Sequence, residues 1–236
     1  MDYFYTQPTL IKDDSASIEG EELHHLSKVL RKKVGDEIFV VDGFGKGYRV
    51  VLKSISRSTA EGEIREVLHH WNEPDVDVML AFALLKNPAR IDLVIEKCTE
   101  LGVREFYPMT TERTIVSKLH RERLQKIALS AMKQCGRSYL PPIHPLVTFA
   151  DALSFLKGCE RKFIAHEKAD ERTVRVNKEG VEGSGKTIGV LIGPEGGFTE
   201  IEVQAAVQSG FTVLSLGPRR LRSETAAIAA LSLFSR

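Results

Sequence analysis

From Val76 onward, short apolar segments with strand character alternate with longer segments of helical character. This alternation is typical of an α/β domain with a largely parallel sheet, because parallel strands need a crossover between them. The clearest stretch is residues 188–216, which predicts a strand, a glycine-rich loop, a helix and a second strand. We therefore expect an ordinary right-handed doubly wound sheet in this part of the chain.

Signals for the starts and ends of helices support this prediction. Asn87, which a proline follows, predicts an N-cap with proline at the first helical position, and Gly102 predicts a left-handed stop. Thr199 and Glu202 have the spacing of a capping box, and Gly210 ends the helix that they begin. One helix is therefore expected to follow the glycine-rich loop at residues 193–197.

The first part of the chain has a different pattern. Residues 36–41 and 48–55 have strand character and flank a glycine-rich turn, which predicts a β-hairpin. One helix is expected at residues 21–31, and residues 71–74 resemble a linker. Since 236 residues lie at the upper edge for one domain, we expect two: a small β-barrel or sandwich over residues 1–72 and an α/β domain over residues 73–236.

The charge balance restricts the function less than the charge distribution does. The chain has 33 basic and 32 acidic residues, so bulk charge does not indicate a nucleic-acid partner. Basic side chains nevertheless predominate over residues 112–137, and three arginines crowd residues 219–222. Such runs are either solvated surfaces or phosphate-binding surfaces, and both interpretations stay open.

Other features bear on compartment and cofactor class. No segment has the length of a membrane span, and the first residues do not resemble a leader, so we expect a cytoplasmic protein without a membrane partner. The three cysteines have no ligand spacing, which favours reduced thiols. His166 has no second ligand at a suitable spacing, so no metal is expected.

Residues 180–187 match the P-loop pattern G-x-x-x-x-G-K-[ST] at every fixed position. A phosphate-binding loop of this kind follows a strand and opens a helix, whose amides and dipole face the phosphates. Here a polar stretch precedes the motif and the apolar strand at residues 188–192 follows it. A P-loop NTPase therefore stays only as an alternative, as does a non-catalytic RNA-binding protein.

Two loops carry the most specific information. Residues 191–198 and 216–226 each follow a predicted strand and contain glycines. Ligands of parallel α/β sheets collect at the carboxyl ends of the strands, where glycine lets the backbone approach closely. The two loops therefore suggest one shared pocket, although ordinary connections between strands and helices would look similar.

The same two loops resemble the cofactor loops of SPOUT methyltransferases, specifically those of the 16S rRNA uridine-N3 methyltransferase family (RsmE). Further matches, in the family's order, are His25-Leu26, residues 29–31, Lys86, residues 90–92, 97–103, 112–114 and 134–137. Residues 84–88 depart from the family pattern, which usually has a proline before the lysine and Gly-Asp after it. This departure concerns the geometry of that loop more than the function.

The resemblance implies a PUA-like β-barrel over residues 1–72 and a SPOUT domain with a deep trefoil knot over residues 73–236. It also implies a homodimer that uses S-adenosyl-L-methionine to methylate N3 of a uridine in 16S rRNA of the small ribosomal subunit. The cofactor residues that it implies are Ala165, His166, Ile192, Gly193, Pro194, Glu195, Gly196, Leu216, Gly217 and Leu221.

For catalysis, the difficulty lies with uracil, whose N3 carries a proton at neutral pH. Loss of that proton spreads negative charge onto O2 and O4, which an arginine would stabilise. Arg222 is the first candidate, and Glu224 would orient it, accept the proton, or only stabilise the start of a helix. The residues expected along the RNA are Lys28, Arg31, Lys32, Lys86, Arg90, Arg113 and Arg137.

Overall fold

The computed structural model describes residues 3–167, 173–175 and 186–234. It contains two compact units. The first consists of Met1–Glu73 together with Leu129–Leu140, and the second of Pro74–Ala128 with Pro141–Arg236. The boundary after Glu73 lies within the predicted linker, whereas the assignment of Leu129–Leu140 to the first unit had no signal in the sequence.

The first unit is a six-stranded sheet with helical turns. Its elements are β1 (Tyr3–Tyr5), β2 (Ile11–Lys12), β3 (Ser15–Glu19), α1 (Gly20–His24), β4 (Glu37–Val41), β5 (Lys46–Ile55) and β6 (Thr59–His69). The strand order is β1-β4-β5-β6-β3-β2, and every pair except β1 with β4 is antiparallel. The predicted hairpin is confirmed as β4 and β5, which close where Val41 pairs with Gly47.

The predicted helix at residues 21–31 is shorter and less regular than expected. α1 ends at His24 and passes into a π-helical turn, His25–Val29. The backbone then turns away at Arg31, whose φ is 51°. Leu23 and Leu26 are buried in the core of the unit, so packing rather than regular helical hydrogen bonding holds this segment.

The second unit is a seven-stranded sheet with helices between the strands. Its elements up to β10 are β7 (Asp77–Ala83), α2 (Pro88–Glu100), β8 (Val103–Thr110), α3 (Arg121–Cys135), β9 (Val147–Thr148), α4 (Phe149–Phe155) and β10 (Arg161–Ala165). The remaining elements are β11 (Thr173–Arg175), β12 (Thr187–Ile192), α5 (Glu200–Gln208), β13 (Thr212–Ser215) and α6 (Ser223–Ser232). α3 crosses the boundary of the units, since its residues from Leu129 onward belong to the first unit.

The strand order of this sheet is β11-β13-β10-β12-β7-β8-β9, and every adjacent pair is parallel. The predicted parallel α/β sheet is therefore confirmed. Buried apolar side chains on β7, β10 and β12 form the core, as expected for strands that helices cover on both faces. The trefoil knot implied by the resemblance stays a prediction.

The predicted helix signals are also confirmed. The Asn87 side chain accepts a hydrogen bond from the Ala89 amide at the start of α2, and Gly102 has a φ of 92° just after that helix. Thr199 and Glu202 form a complete capping box at the start of α5. Among the described residues, no helix has the length and apolar character that a membrane span requires.

Candidate active site

A cavity of about 330 Å³ lies where the carboxyl ends of β10, β12 and β13 meet. These strands are neighbours in the order β13-β10-β12 and run parallel, so the loops that follow them open at the same edge of the sheet. A cavity of this size lies at the lower end of the range for small-molecule sites. The predicted shared pocket is therefore present, with β10 inserted between the two strands whose loops predicted it.

Every residue expected to bind the cofactor lines this cavity, as does Arg222. Arg90 and Arg113, which were expected along the RNA, line it too. Lining residues without an earlier role are Glu167, Gly197, Phe198, Glu200, Arg219, Arg220, Ser223 and Ala226. Six of these eight residues lie in the two loops that the sequence singled out, and only Glu167 and Glu200 had no signal in the sequence.

The loop after β12 is held by side chains from elsewhere in the unit. Glu195 Oε1 accepts a hydrogen bond from the Lys86 amide at 3.0 Å, and Arg113 Nη1 donates to the Gly196 carbonyl at 2.6 Å. A Cβ at Gly196 would lie 3.3 Å from Cδ of Arg113, so a larger residue there would displace this arginine. Arg113 thus has a defined structural contact, whatever part it takes in binding RNA.

The start of α5 is fixed to the segment that follows β8. Glu202 is 8% exposed, and its Oε2 accepts the Thr199 amide at 2.8 Å within the capping box. Its Oε1 accepts the Glu112 amide at 2.9 Å. Since one buried carboxylate satisfies amides from two segments, the two loops on that side of the cavity have a fixed spacing.

Glycine is required at two points of the cavity wall. Gly217 has a φ of 112°, a conformation that other residues adopt only with strain. At Gly193, a Cβ would lie 3.2 Å from the ring and from the amide nitrogen of Phe198, so the space is already filled. Both positions therefore bring the backbone, rather than a side chain, to the cavity.

The cavity carries an unsatisfied polar atom. His166 Nε2 is buried and has no hydrogen-bond partner among the described residues, while the His166 amide is bonded to the Leu214 carbonyl. A buried polar nitrogen without a partner is costly, which points to a ligand atom that completes it. Together with the backbone edges of the glycine loops, it fits a neutral polar ligand such as an adenosine group.

The two predicted catalytic residues differ in position. Arg222 is exposed at the start of α6 and lines the cavity. Glu224 is 6% exposed and is not a lining residue. Its Oε1 lies 3.5 Å from Nε of Arg90, and its Oε2 is buried without a hydrogen-bond partner in the described structure. Glu224 therefore contacts Arg90 and is set back from the lining of the cavity.

The residues expected along the RNA are divided between the units. Lys28 and Arg31 are exposed in the first unit, and Lys32 is half-buried there. Lys86 is exposed in the second unit, just after the buried residues Leu84 and Leu85 that follow β7. Because Lys28, Arg31 and Lys86 are exposed, a phosphate could reach their cationic groups, and the RNA-binding role of all four positions stays a prediction.

For Arg137 the structure gives a different role. It is 3% exposed, and its Nη2 and Nε lie 2.6 and 3.0 Å from Oε2 of Glu73. The second oxygen of Glu73 accepts the amides of Ser138 and Tyr139, each at 2.8 Å. A guanidinium that is buried and paired in this way is not available to a phosphate. The expectation that Arg137 lies along the RNA is therefore corrected: its role is structural.

Two further predictions concern phosphates and metals. Residues 180–185 of the P-loop pattern lie outside the described residues, and the strand β12 begins at Thr187, where the pattern ends. In the part of the chain that the structure describes, no group of three or more His, Cys, Asp or Glu side chains could hold a metal ion.

Comparison with known proteins adds to this geometry. A family model described as the RNA methyltransferase domain matches residues 72–235, and one described as the RNA methyltransferase PUA domain matches residues 18–65. Ribosomal RNA small subunit methyltransferase E of Synechocystis sp. is 34% identical over 95% of this chain and 74% of its own length. The enzyme of the same name from Bacillus subtilis is 31% identical over 93% of this chain and 89% of its own.

A solved structure agrees with these relatives. Ribosomal RNA small subunit methyltransferase E from Neisseria gonorrhoeae, solved bound to S-adenosyl methionine, superposes with a TM-score of 0.85. The two sequences are 31% identical, and the superposition covers 98% of this chain and 95% of the other. The likeness therefore extends over both units.

Proposed function

The chain belongs to the RNA methyltransferase family, and on that premise we propose that it transfers a methyl group from S-adenosyl-L-methionine to 16S rRNA of the small ribosomal subunit. Its architecture is an N-terminal PUA domain followed by an α/β domain of the SPOUT type. The acceptor atom that we propose is N3 of a uridine. The reaction would take place in the cytoplasm, on a homodimer.

One observation carries this proposal. The cavity at the ends of β10, β12 and β13 brings together every residue expected to bind the cofactor, and adds Arg222 to the same wall. The relative from Neisseria gonorrhoeae was solved with S-adenosyl methionine bound, and its structure is similar over nearly the whole chain. The cavity of this chain is therefore the site proposed for the methyl donor.

When bound, the cofactor supplies an activated methyl group, so the protein must chiefly align it with the acceptor. The backbone at Gly193 and Gly217 lies open to the cavity, because neither residue has a side chain there. His166 Nε2 would form its missing hydrogen bond with a polar atom of the adenosine group. The two glycine backbones and the His166 imidazole would thus hold the methyl donor through non-covalent contacts.

The arginines that line the cavity would stabilise the negative charge that develops on the uracil. Arg222 and Arg90 both line the cavity, and a guanidinium that faces O2 or O4 would stabilise the anion formed when N3 loses its proton. Such a contact is worth about 3 to 4 kcal/mol in the transition state, on the scale of an oxyanion donor. Since N3 lies on the pairing edge, the uridine must be unpaired or flipped out of its helix.

We assign Glu224 to positioning rather than to proton transfer. Its Oε1 contacts Arg90, and it is not among the residues that line the cavity. The pair is partly shielded from solvent, since the Arg90 side chain is 30% exposed and that of Glu224 is 9% exposed. The carboxylate would therefore fix the direction in which the Arg90 guanidinium points.

The test is incubation of the purified protein with labelled S-adenosyl-L-methionine and small ribosomal subunits that lack the modification, followed by mass spectrometry of the nucleosides. We expect label in 3-methyluridine, and its loss in Arg222→Ala. Arg57→Ala is the matched control, because Arg57 is exposed on the turn between β5 and β6 and does not line the cavity. Label in another nucleoside would overturn the proposed acceptor atom, and no label would overturn the proposed substrate.

A further inference from the structure

Phe44 is an aromatic residue that the first unit presents to solvent. It lies in the turn between β4 and β5, and 72% of it is exposed. Exposure of a large aromatic ring at the tip of a hairpin gives up the stabilisation that burial would provide, which is about 1.5 to 3 kcal/mol for a phenylalanine. The turn around it is nevertheless held by several hydrogen bonds, both from within the hairpin and from distant segments.

A buried carboxylate organises the turn from within. Asp42 is 4% exposed, and its Oδ1 accepts the amides of Phe44 at 2.7 Å and Lys46 at 3.1 Å. Its Oδ2 accepts the Tyr48 hydroxyl at 3.1 Å. Gly43 supplies a left-handed conformation, with a φ of 77°, next to Phe44. The backbone that carries Phe44 is therefore fixed on the side of the hairpin.

Segments distant in sequence hold the same turn from outside. The Leu140 amide donates to the Gly43 carbonyl at 2.9 Å, and the Gly45 amide donates to the Ser138 carbonyl at 3.0 Å. The His70 amide donates to the Gly45 carbonyl at 2.7 Å. A ring carried on such a fixed backbone loses little freedom when a ligand covers it, which favours binding.

One lysine and two histidines are exposed near the turn that carries the ring. Lys46 and His69 are exposed and are cross-strand partners at the base of the turn, and His70 is exposed beside them. Of the acidic residues closest in the chain, Asp42 is buried and accepts the hydrogen bonds of the turn. Asp36 accepts the Lys33 amide, and the exposed Glu37 lies 3.4 Å from Arg49. An exposed ring next to a lysine is a combination that binds single-stranded nucleic acid, since a base stacks on the ring and a phosphate meets the ammonium group.

We propose that Phe44 is a stacking platform for an unpaired base of the RNA substrate, with Lys46 beside the adjoining phosphate. This inference rests on the proposed function, because it takes ribosomal RNA as the ligand. The base on Phe44 would be a different one from the target uridine. It would be held in the first unit, while the methyl donor belongs to the second. Phe44 would thereby contribute to affinity and choice of RNA, and leave cofactor binding unaffected.

The experiment measures the affinity of the full chain for a protein-free 16S rRNA fragment, by fluorescence anisotropy, for the wild type, Phe44→Ala and Phe44→Trp. Removal of one stacking contact should weaken binding roughly 5- to 150-fold, whereas tryptophan should preserve it. Val67→Ala is the control, since Val67 is an apolar residue on the neighbouring strand and is 43% exposed. Affinity for S-adenosyl-L-methionine should be equal in all four proteins.

The outcomes separate this inference from the proposed function. If the wild type binds the RNA and Phe44→Ala binds it equally well, the stacking contact is overturned while the proposed function stands. If Phe44→Ala loses activity only on assembled subunits and not affinity for the free RNA, the ring contacts a ribosomal protein and the inference is wrong. If the wild type binds no ribosomal RNA, the proposed function fails, and the stacking contact with it.

Discussion

Arg90 Nε lies 3.5 Å from Oε1 of Glu224, and the other oxygen of that carboxylate is buried without a hydrogen-bond partner among the described residues. The two residues belong to α2 and α6, two helices that pack together. A buried carboxylate with one unsatisfied oxygen is costly to stability, so the contact with Arg90 is the role that we assign to Glu224.

Glu224→Gln separates positioning of Arg90 from proton transfer. If Glu224 directs Arg90, the neutral amide should lower kcat roughly tenfold, the effect of misplacing one charged group, with little change in affinity for S-adenosyl-L-methionine. Single-turnover kinetics across pH 6 to 9, with Arg90→Lys in parallel, provides the check. Disappearance of the acidic limb of the pH profile in Glu224→Gln would instead identify Glu224 as the proton acceptor.

Gly217→Ala tests the backbone conformation of the second cofactor loop. A Cβ would meet no atom within 4 Å, so any effect comes from the φ of 112°. The strain should cost about 1 to 3 kcal/mol and weaken cofactor binding, because the loop would relax away from this conformation. Calorimetry with S-adenosyl-L-methionine measures the change. Gly158→Ala is the control, since that glycine also has nothing within 4 Å but has no positive φ.

Arg137→Ala tests the structural role assigned to that residue. Its removal would leave the Glu73 carboxylate buried and unpaired, which should lower the free energy of unfolding by about 3 to 5 kcal/mol. Urea unfolding followed by tryptophan fluorescence measures this, because Trp71 lies in the same unit. In a double-mutant cycle, Glu73→Ala and Arg137→Ala should be far from additive. Unchanged stability together with loss of RNA affinity would restore Arg137 to the RNA surface.

The raised pKa of Tyr48 predicts that the protein loses stability at alkaline pH. Burial, together with the charge and hydrogen bond of Asp42, raises the pKa of Tyr48 to about 12. In the unfolded chain the hydroxyl loses its proton near its ordinary pKa of 10.0. The stabilisation is therefore fully present below pH 10 and is lost as the pH rises toward 12, because the unfolded state then binds fewer protons.

Urea unfolding between pH 8.5 and 11.5 measures this dependence. The free energy of unfolding should fall above pH 10 in the wild type and fall less steeply in Tyr48→Phe. Burial and the Asp42 charge also raise the pKa of Tyr5, so some dependence should persist in the variant. Identical slopes in the two proteins would mean that Tyr48 ionises as easily in the folded protein as in the unfolded one.

The sequence predicted those features that local signals determine. The capping box of Thr199 and Glu202, the stop at Gly102 and the hairpin of β4 and β5 depend on residues a few positions apart, and all are present. The parallel sheet followed from the alternation of strands and helices. Such features can be predicted because the physical interactions that create them lie within one segment.

Contacts between distant segments had no comparable signal. Arg137 belongs to a basic run in the sequence, but its burial depends on Glu73, which lies in the linker before β7. The insertion of β10 between β12 and β13 brought Ala165 and His166 to the cavity, and only the family resemblance had suggested these two residues. The pairing of Arg90 with Glu224 likewise joins α2 and α6, and no pattern in the sequence predicts that these two helices are in contact.

The Glu202 carboxylate accepts one hydrogen bond from its own helix start and another from a segment far away in the sequence, and these two bonds should form at different stages of folding. Its bonds to Thr199 span three residues, whereas its bond to the Glu112 amide spans 90. The helix start can form early, but closure of such a long loop has to wait until both segments are in place. Because Arg90, Arg113 and Arg222 all line the cavity, ligand binding requires these distant segments to be assembled. Recovery of cofactor affinity during refolding would thus mark the final step, after helical content has returned.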